Sequence, residues 1–241
     1  MSLKDKVLKV SSNNVTIAEK QQKLYDTAYS KGYSDMDLKF WKSFTNNGAR
    51  TVYNNAFAYT TFSRYSLPIT VKPKGTSGAY RMFYSYEGSY LPSGIDMTEL
   101  DVSNGNVNYG VSQLCGYSKL AEFPDLGIPA PADYYQTFSY SRSLHTIEVI
   151  RVKKATKFTN TFTECFALAN VTFEGEIGQN LSMSACTKLT HESLMNIIGC
   201  LYDFVSNGET TTRTLTIGNE NLSKLTDEEK AIATQKGWTL A

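Results

Sequence analysis

Histidine, cysteine pairs and enzyme motifs are scarce or missing in this sequence. It contains two histidines, His145 and His191, and four cysteines, none of which forms a C-x-x-C pair. Zinc sites need several such ligands at characteristic spacing, so we predict no metal site and four free, buried thiols. The sequence also lacks G-x-S-x-G, H-E-x-x-H, P-loop and Rossmann glycine motifs. We therefore predict no catalytic residue and no cofactor.

The sequence has no excess of one charge and no long apolar run. Lys and Arg number 24 against 23 Asp and Glu, which leaves a formal charge of +1. Nucleic-acid binders usually carry a basic excess, so no nucleic-acid partner is predicted. No run approaches the roughly 18 apolar residues of a transmembrane helix, so no membrane insertion is predicted. Residues 1–7 are polar, and we expect synthesis in the cytoplasm without a signal peptide, with virion association as a later destination.

The first 50 residues are predicted to form an arm and helices. Residues 1–14 are polar and typical of an arm. Thr16 and Glu19 match a capping box, which predicts that a helix follows. The arm and first helix lie outside the part of the chain that resembles other repeat proteins, as described below, and an added arm of this kind is a candidate for attachment. We predict that residues 1–33 mediate homo-oligomerisation.

A repeat occupies the middle of the chain. In each of five copies an apolar residue lies six positions before a Leu or Met. The pairs are Leu91 and Met97, Leu114 and Leu120, Phe138 and Leu144, Phe162 and Leu168, and Met183 and Leu189. The copies begin 23, 24, 24 and 21 residues apart. Leucine-rich repeats have periods of about 20–29 residues.

Each copy is predicted to contain one strand of a parallel sheet. In the first four copies, apolar residues follow the Leu or Met at three positions on and, except in the second copy, at five. In the third copy these are Ile147 and Val149. Positions two apart lie on one side of a strand, and stacked copies bury those sides together. The residues predicted to lie on adjacent strands are Leu100, Phe123, Ile147 and Val171. Cys165 and Cys186 share one repeat phase and should stack as buried thiols.

Helices and short strands are predicted after the fifth copy. Thr190 is a plausible N-cap for a helix near residues 191–204, and residues 214–217 alternate like a strand. Thr226 begins a second capping box, and residues 238–240 are predicted to return as a strand. An open repeat stack needs its end covered, and this terminal helix and strand are the natural cap.

The predicted fold is an α/β repeat: a short leucine-rich-repeat solenoid with a parallel β-sheet, N-terminal helices and a C-terminal helix–strand cap. Its predicted parts are residues 1–50 for the arm and helices, 51–221 for the solenoid with the inserted helix, and 222–241 for the cap. Residues 67–71 alternate and predict a further strand. The competing interpretation is an irregular β-rich domain with accidental spacing.

The repeats resemble the BspA-type leucine-rich repeats of bacterial surface and interaction proteins. The segments LTDEEKAIATQKGWTL (residues 225–240) and FWKSFTNNGART (residues 40–51) are similar to parts of repeat proteins encoded by gut bacteria and their prophages. The resemblance covers roughly residues 36–241. It implies a recognition or structural role, often in a phage virion or tail, and it supplies no catalytic residues.

Two surfaces are candidate binding sites. If residues three and five positions after each Leu or Met face inward, those at two and four face outward. The outward polar residues are Glu99, Asp101, Glu122, Thr146, Glu148, Asn170 and Thr172. Tyrosine is favoured at interfaces, and the candidate tyrosines are Tyr84, Tyr86, Tyr134, Tyr135 and Tyr140. The alternatives are a solvated face without a partner and tyrosines that pack in the core.

We therefore predict a non-enzymatic protein-interaction or structural module. It would be a tail, fibre or decoration component of a phage or prophage virion, and its partners would be proteins. The alternative is an adhesin that binds a cell-surface glycan. The third hypothesis is an uncharacterised hydrolase that uses a carboxylate pair such as Glu99 and Asp101.

Overall fold

The computed structural model describes residues 57–59, 66–71, 79–91, 93–103 and 110–241. The predicted arm and N-terminal helices lie outside these residues, as does the predicted oligomerisation segment, residues 1–33. Everything stated below about elements and contacts concerns the described ranges.

Short parallel strands and a few helices make up the described part of the chain. The strands are β1 (Ser66–Val71), β2 (Ser93–Ile95), β3 (Glu122–Phe123), β4 (Thr146–Val152), β5 (Asn170–Gly175), β6 (Leu181–Ser182), β7 (Arg213–Thr216) and β8 (Trp238–Leu240). The helices are α1 (His191–Cys200), α2 (Gly218–Leu222) and α3 (Asp227–Gln235). The strands pair in parallel in the orders β1–β2, β3–β4–β5 and β6–β7–β8. The fold is mixed α/β, with small parallel sheets.

The sheet β3–β4–β5 places three predicted interior residues on adjacent strands. Phe123 pairs with Ile147, and Ile147 pairs with Val171. All three side chains are buried. Because a shift of one residue would turn an apolar set toward solvent, the buried face holds this register. The predicted alignment of these three copies is confirmed.

The first copy, by contrast, lies in a different register from the one predicted. The N–H of Ala121, two residues before Phe123, donates to the carbonyl of Ser89 at 2.7 Å. Along parallel segments this contact brings Leu91, rather than Leu100, beside Phe123. Both leucines are buried. The spacing alone was misleading because apolar residues recur more than once in each pass of the chain.

A bulge in β4 changes which side chain faces the core in the third copy. Ile147 pairs with Val171, whereas Ile150 pairs with Phe173. β4 therefore has one residue more than β5 between these pairs. Ile150 is buried and Val149 is half-buried. The predicted inward position of Val149 is wrong, and Ile150 takes that place.

Tight turns between the strands stack on one another. They lie in residues 79–85, 110–117, 135–140 and 159–164, and we call their stack the turn ribbon. Backbone hydrogen bonds join each turn to the next: Phe83 N to Leu114 O at 2.8 Å, Cys115 N to Thr137 O at 2.8 Å, and Phe138 N to Thr161 O at 3.2 Å. Each turn has two residues with left-handed backbone, four positions apart: Arg81 and Ser85, Gln113 and Tyr117, Gln136 and Tyr140, Asn160 and Glu164. These conformations are unfavourable for non-glycine residues, and the hydrogen bonds between turns offset their cost.

Small hydroxyl and thiol groups fill the interior side of the turn ribbon. Ser141 Oγ donates to the Cys115 carbonyl at 2.6 Å, and Cys165 Sγ donates to the Phe138 carbonyl at 3.0 Å. They thereby satisfy buried carbonyls that the turns leave over. All four cysteines are free, as expected; Cys115, Cys165 and Cys186 are buried and Cys200 is half-buried. Burial raises the pKa of Cys165 to about 12, so its thiol stays protonated.

The C-terminal elements follow their local signals. Thr190 Oγ1 accepts a hydrogen bond from Ser193 N at 3.3 Å, and α1 begins after it as predicted, although it ends at residue 200 rather than near 204. Both hydrogen bonds of the predicted capping box at Thr226 are present. β8 pairs with β7, and Trp238 Nε1 donates to the Tyr202 carbonyl at 2.9 Å. The expected strand at residues 67–71 also forms, as β1.

Candidate functional site

The predicted outward residues of the strands lie at the surface. Glu99, Asp101, Glu122, Glu148, Asn170 and Thr172 are exposed, and Thr146 is half-buried. Glu122, Thr146 and Asn170 pair in register across β3, β4 and β5, so the structure brings these three together. Glu99 and Asp101 are not part of that sheet. A binding role for this face stays a prediction.

An ion cluster beside this face was missed by sequence reasoning. Arg151 donates to both carboxylate oxygens of Asp125 at 2.7 Å, and its Nε lies 3.2 Å from Glu174 Oε2. The forked guanidinium matches a carboxylate in geometry, which strengthens both bonds. The Arg151 hydrogen bonds lower the pKa of Asp125 to about 2. The signal available in the sequence was Asp125 itself, which lies five positions after Leu120, where the first, third and fourth copies have an apolar residue.

We expect Arg151→Gln to reduce the acid sensitivity of folding. The pKa of Asp125 is lower in the folded chain than its ordinary 3.8, so its contribution to stability is present above about pH 4 and is lost as the pH falls toward 2. Since both side chains are about one-third exposed, the contribution is about 1 kcal/mol or less. Urea unfolding of the unsubstituted chain and of Arg151→Gln, at several pH values between about 4 and 2, measures this contribution. A stability difference that does not shrink toward low pH would contradict this assignment.

Two of the predicted binding tyrosines are core residues, which corrects the prediction. Tyr86 is fully buried and donates to the Tyr90 carbonyl at 3.1 Å. Tyr134 is 2% exposed, donates to the Arg151 carbonyl at 3.0 Å and stacks on Phe158. Tyr86 directly follows one turn and Tyr134 directly precedes another, and each places its ring in the core while its hydroxyl donates to a backbone carbonyl. Neither can contact a ligand at the surface.

Four tyrosines form a row along the turn ribbon, which we call the tyrosine row: Tyr59, Tyr84, Tyr117 and Tyr140. Successive ring centroids are 6.0, 5.4 and 4.5 Å apart. Tyr59 is 72% exposed and Tyr117 is 50% exposed, while Tyr84 and Tyr140 are half-buried. Tyr84 and Tyr140 were predicted, and Tyr59 and Tyr117 were missed. Tyr135 is half-buried and outside the row.

Backbone geometry aligns much of this row. Tyr59, Tyr117 and Tyr140 have φ angles of 57°, 59° and 61°. The N–H of Tyr117 donates to the Ser139 carbonyl at 2.8 Å, which brings Tyr117 and Tyr140 to equivalent positions in adjacent turns. Their shared position in the repeat was the signal available in the sequence.

The faces of the inner rings are covered by neighbouring groups. The rings of Tyr117 and Tyr140 are within 9° of parallel and stack on each other. The Tyr84 ring lies over Gly116, where a Cβ would come within 3.4 Å of it, and the Arg81 guanidinium lies 4.7 Å from its centroid. Each of these three rings therefore has at least one face occupied by a neighbour.

A row of polar side chains runs beside the tyrosines. Arg81 Nε donates to Gln113 Oε1, and Gln113 Nε2 donates to Gln136 Oε1 at 2.5 Å. Burial raises the pKa of Tyr84, and this effect outweighs the opposing effect of Arg81. The Tyr84 hydroxyl therefore remains protonated and able to donate at neutral pH.

The remaining candidate groups are two histidines at the surface. His145 Nδ1 lies 3.2 Å from Thr146 Oγ1, and His191 Nε2 lies 2.8 Å from Glu229 Oε1. Across the described ranges, no three His, Cys, Asp or Glu side chains are grouped so that they could hold a metal ion. Among the helices described, none has the length and apolar character needed to cross a membrane. Compared with protein-family models, with curated proteins and with solved structures, the chain matches none.

Proposed function

We propose that the chain is a non-enzymatic recognition module with the architecture of a short leucine-rich-repeat solenoid. The in-register pairing of β3, β4 and β5 at a 24-residue interval supports this architecture, as does the hydrogen bonding from turn to turn. A stacked array of this kind offers an extended surface on which a partner can lie. The partner in this proposal is a protein.

The observation that carries the proposal is the tyrosine row. Isolated exposed aromatic rings are ordinary, but this row continues across adjacent passes of the chain and contains two of the most exposed aromatic residues, Tyr59 and Tyr117. Tyrosine combines a large, rigid contact area with a polar tip, and for this reason it is enriched at binding hot spots. The turn ribbon therefore carries the proposed binding surface.

The proposed setting is a phage or prophage virion, as a tail, fibre or decoration component. The resemblance of residues 36–241 to prophage-encoded repeat proteins motivates this setting. In the proposal, residues 1–33 attach or oligomerise the chain and the turn ribbon faces outward.

The virion setting is tested on particles released after prophage induction in the encoding organism. Particles purified on a density gradient are analysed by mass spectrometry, and we expect peptides of this chain to co-purify with the capsid proteins. Particles from a strain with the gene deleted provide the control. Detection of the chain only in the soluble fraction would contradict the virion proposal.

A glycan-binding adhesin is the second candidate function. Tyr59 favours it, because its ring is 72% exposed and is not stacked face to face on Tyr84. A glycan array probed with the full chain and with Tyr59→Ser tests this candidate. Binding that Tyr59→Ser abolishes would favour the adhesin, and an array without specific binding would argue against it.

A further inference from the structure

The tyrosine row presents hydrogen-bond donors and positive ring edges. An aromatic ring is electronegative on its faces and electropositive along its edge. The faces of Tyr117 and Tyr140 meet each other, and Arg81 covers a face of Tyr84. One face of each of these three rings is thus occupied, while ring edges and tyrosine hydroxyls stay available to a ligand.

The hydrogen bonds along Arg81, Gln113 and Gln136 all run in one direction, and this leaves a further donor at the end of the row. A guanidinium has donors only, so Arg81 fixes the amide oxygen of Gln113 toward itself. The amide nitrogen of Gln113 then donates to the oxygen of Gln136. The amide oxygen of Gln136 therefore faces Gln113, and the NH₂ group of Gln136 points away from Gln113 as a donor. The tyrosine row and the adjacent row of Arg81, Gln113 and Gln136 therefore both favour a ligand rich in hydrogen-bond acceptors.

The charges around the tyrosine row are also unevenly distributed. Lys119 and Arg142 each follow a tyrosine of the row by two residues, and they form ion pairs with Glu87 and Glu164, respectively. Arg81 lies against Tyr84 and donates a hydrogen bond to the neutral amide of Gln113. These five groups, all in the part of the chain that the structure describes, are three cations and two carboxylates.

Building on the proposed recognition function, we infer that the tyrosine row with Arg81 binds a carboxylate-rich segment of a partner protein. Carboxylates accept hydrogen bonds from hydroxyl, amide and guanidinium donors, and charge-assisted bonds of this kind are the stronger ones. Single-stranded nucleic acid binds by stacking bases on open aromatic faces, and Tyr84, Tyr117 and Tyr140 each have a face already occupied by a neighbour. A sugar ring that stacks on tyrosine needs the same faces.

The test uses the full chain and a fluorescein-labelled decaglutamate peptide, with binding measured by fluorescence anisotropy. We expect saturable binding that weakens with salt, because the contacts involve charge. Tyr117→Ser and Arg81→Gln should each weaken binding by about fivefold or more. Tyr59→Ser gives an independent variant, since this exposed side chain contributes little to folding. Lys188→Gln, which removes an exposed cation outside the tyrosine row, is the matched control for Arg81→Gln and should leave binding unchanged.

Urea unfolding midpoints of the variants separate loss of the surface from loss of folding. Decaglutamate binding that none of the row variants weakens would overturn the inference. The inference would also be overturned if the chain bound chitohexaose or oligo-deoxythymidine but not decaglutamate, and if Tyr117→Ser abolished that binding. If the chain is found in purified particles and decaglutamate does not bind, the inference fails while the virion proposal stands. If decaglutamate binds through the row and the particles lack the chain, only the virion setting fails.

Discussion

Replacing Phe138 with alanine is expected to lower the free energy of unfolding by about 3–5 kcal/mol. Phe138 is 1% exposed, stacks on Phe162 with ring centroids 6.0 Å apart, and meets the edge of Phe123 at 5.1 Å. Its loss would leave a cavity between two adjacent passes of the chain, where the fixed backbone hydrogen bonds of the turn ribbon limit collapse. Equilibrium unfolding in urea measures the change.

The matched control for this variant is Phe166→Ala. Phe166 follows Phe162 by four residues and is 49% exposed. Its removal should change stability by less than about 0.5 kcal/mol, as for most surface substitutions. Equal effects of the two replacements would contradict the assignment of Phe138 to a core shared by stacked turns.

Replacing Gly175 with alanine is expected to destabilise the fold by more than about 2 kcal/mol. Gly175 has a φ of 104° and pairs with Val152 at the end of β5. A Cβ at this position would lie 2.0 Å from the Val152 carbonyl oxygen, so the two strands would have to separate. The midpoint of thermal unfolding and the yield of soluble protein both measure the effect.

Gly199→Ala is the control glycine substitution. Gly199 lies in α1, and a Cβ there meets nothing within 4 Å. Alanine has the higher helix propensity, so this variant should be unchanged or more stable by up to about 1 kcal/mol. A Gly175→Ala protein as stable as the Gly199→Ala protein would contradict the close approach of β4 and β5.

The residues of the candidate site divide according to their predictability. Tyr84 and Tyr140 were found from composition alone, which equally selected the buried Tyr86 and Tyr134. Residue type cannot separate the buried tyrosines from those of the row. A tyrosine can donate to a backbone carbonyl from the core, and it can equally lie in an exposed row. The direction of a side chain in these turns depends on the two residues with left-handed backbone in each turn. No residue type at those positions indicates that conformation.

Local signals determined the caps, the helices and the phase of the later copies. The caps at Thr190 and Thr226 depend on residues three positions apart, and the alignment of Phe123, Ile147 and Val171 depends on a constant period. Such features involve short stretches or regular spacing, so the sequence by itself was enough to determine them.

Only the tertiary structure decided the register of the first copy, the inward residue of β4 and the partner of Asp125. Leu91 rather than Leu100 lies beside Phe123, and Ile150 rather than Val149 faces the core. In each case several apolar or charged residues were available at similar spacing. The choice between them rests on hydrogen bonds and packing between segments more than 20 residues apart, which no local pattern encodes.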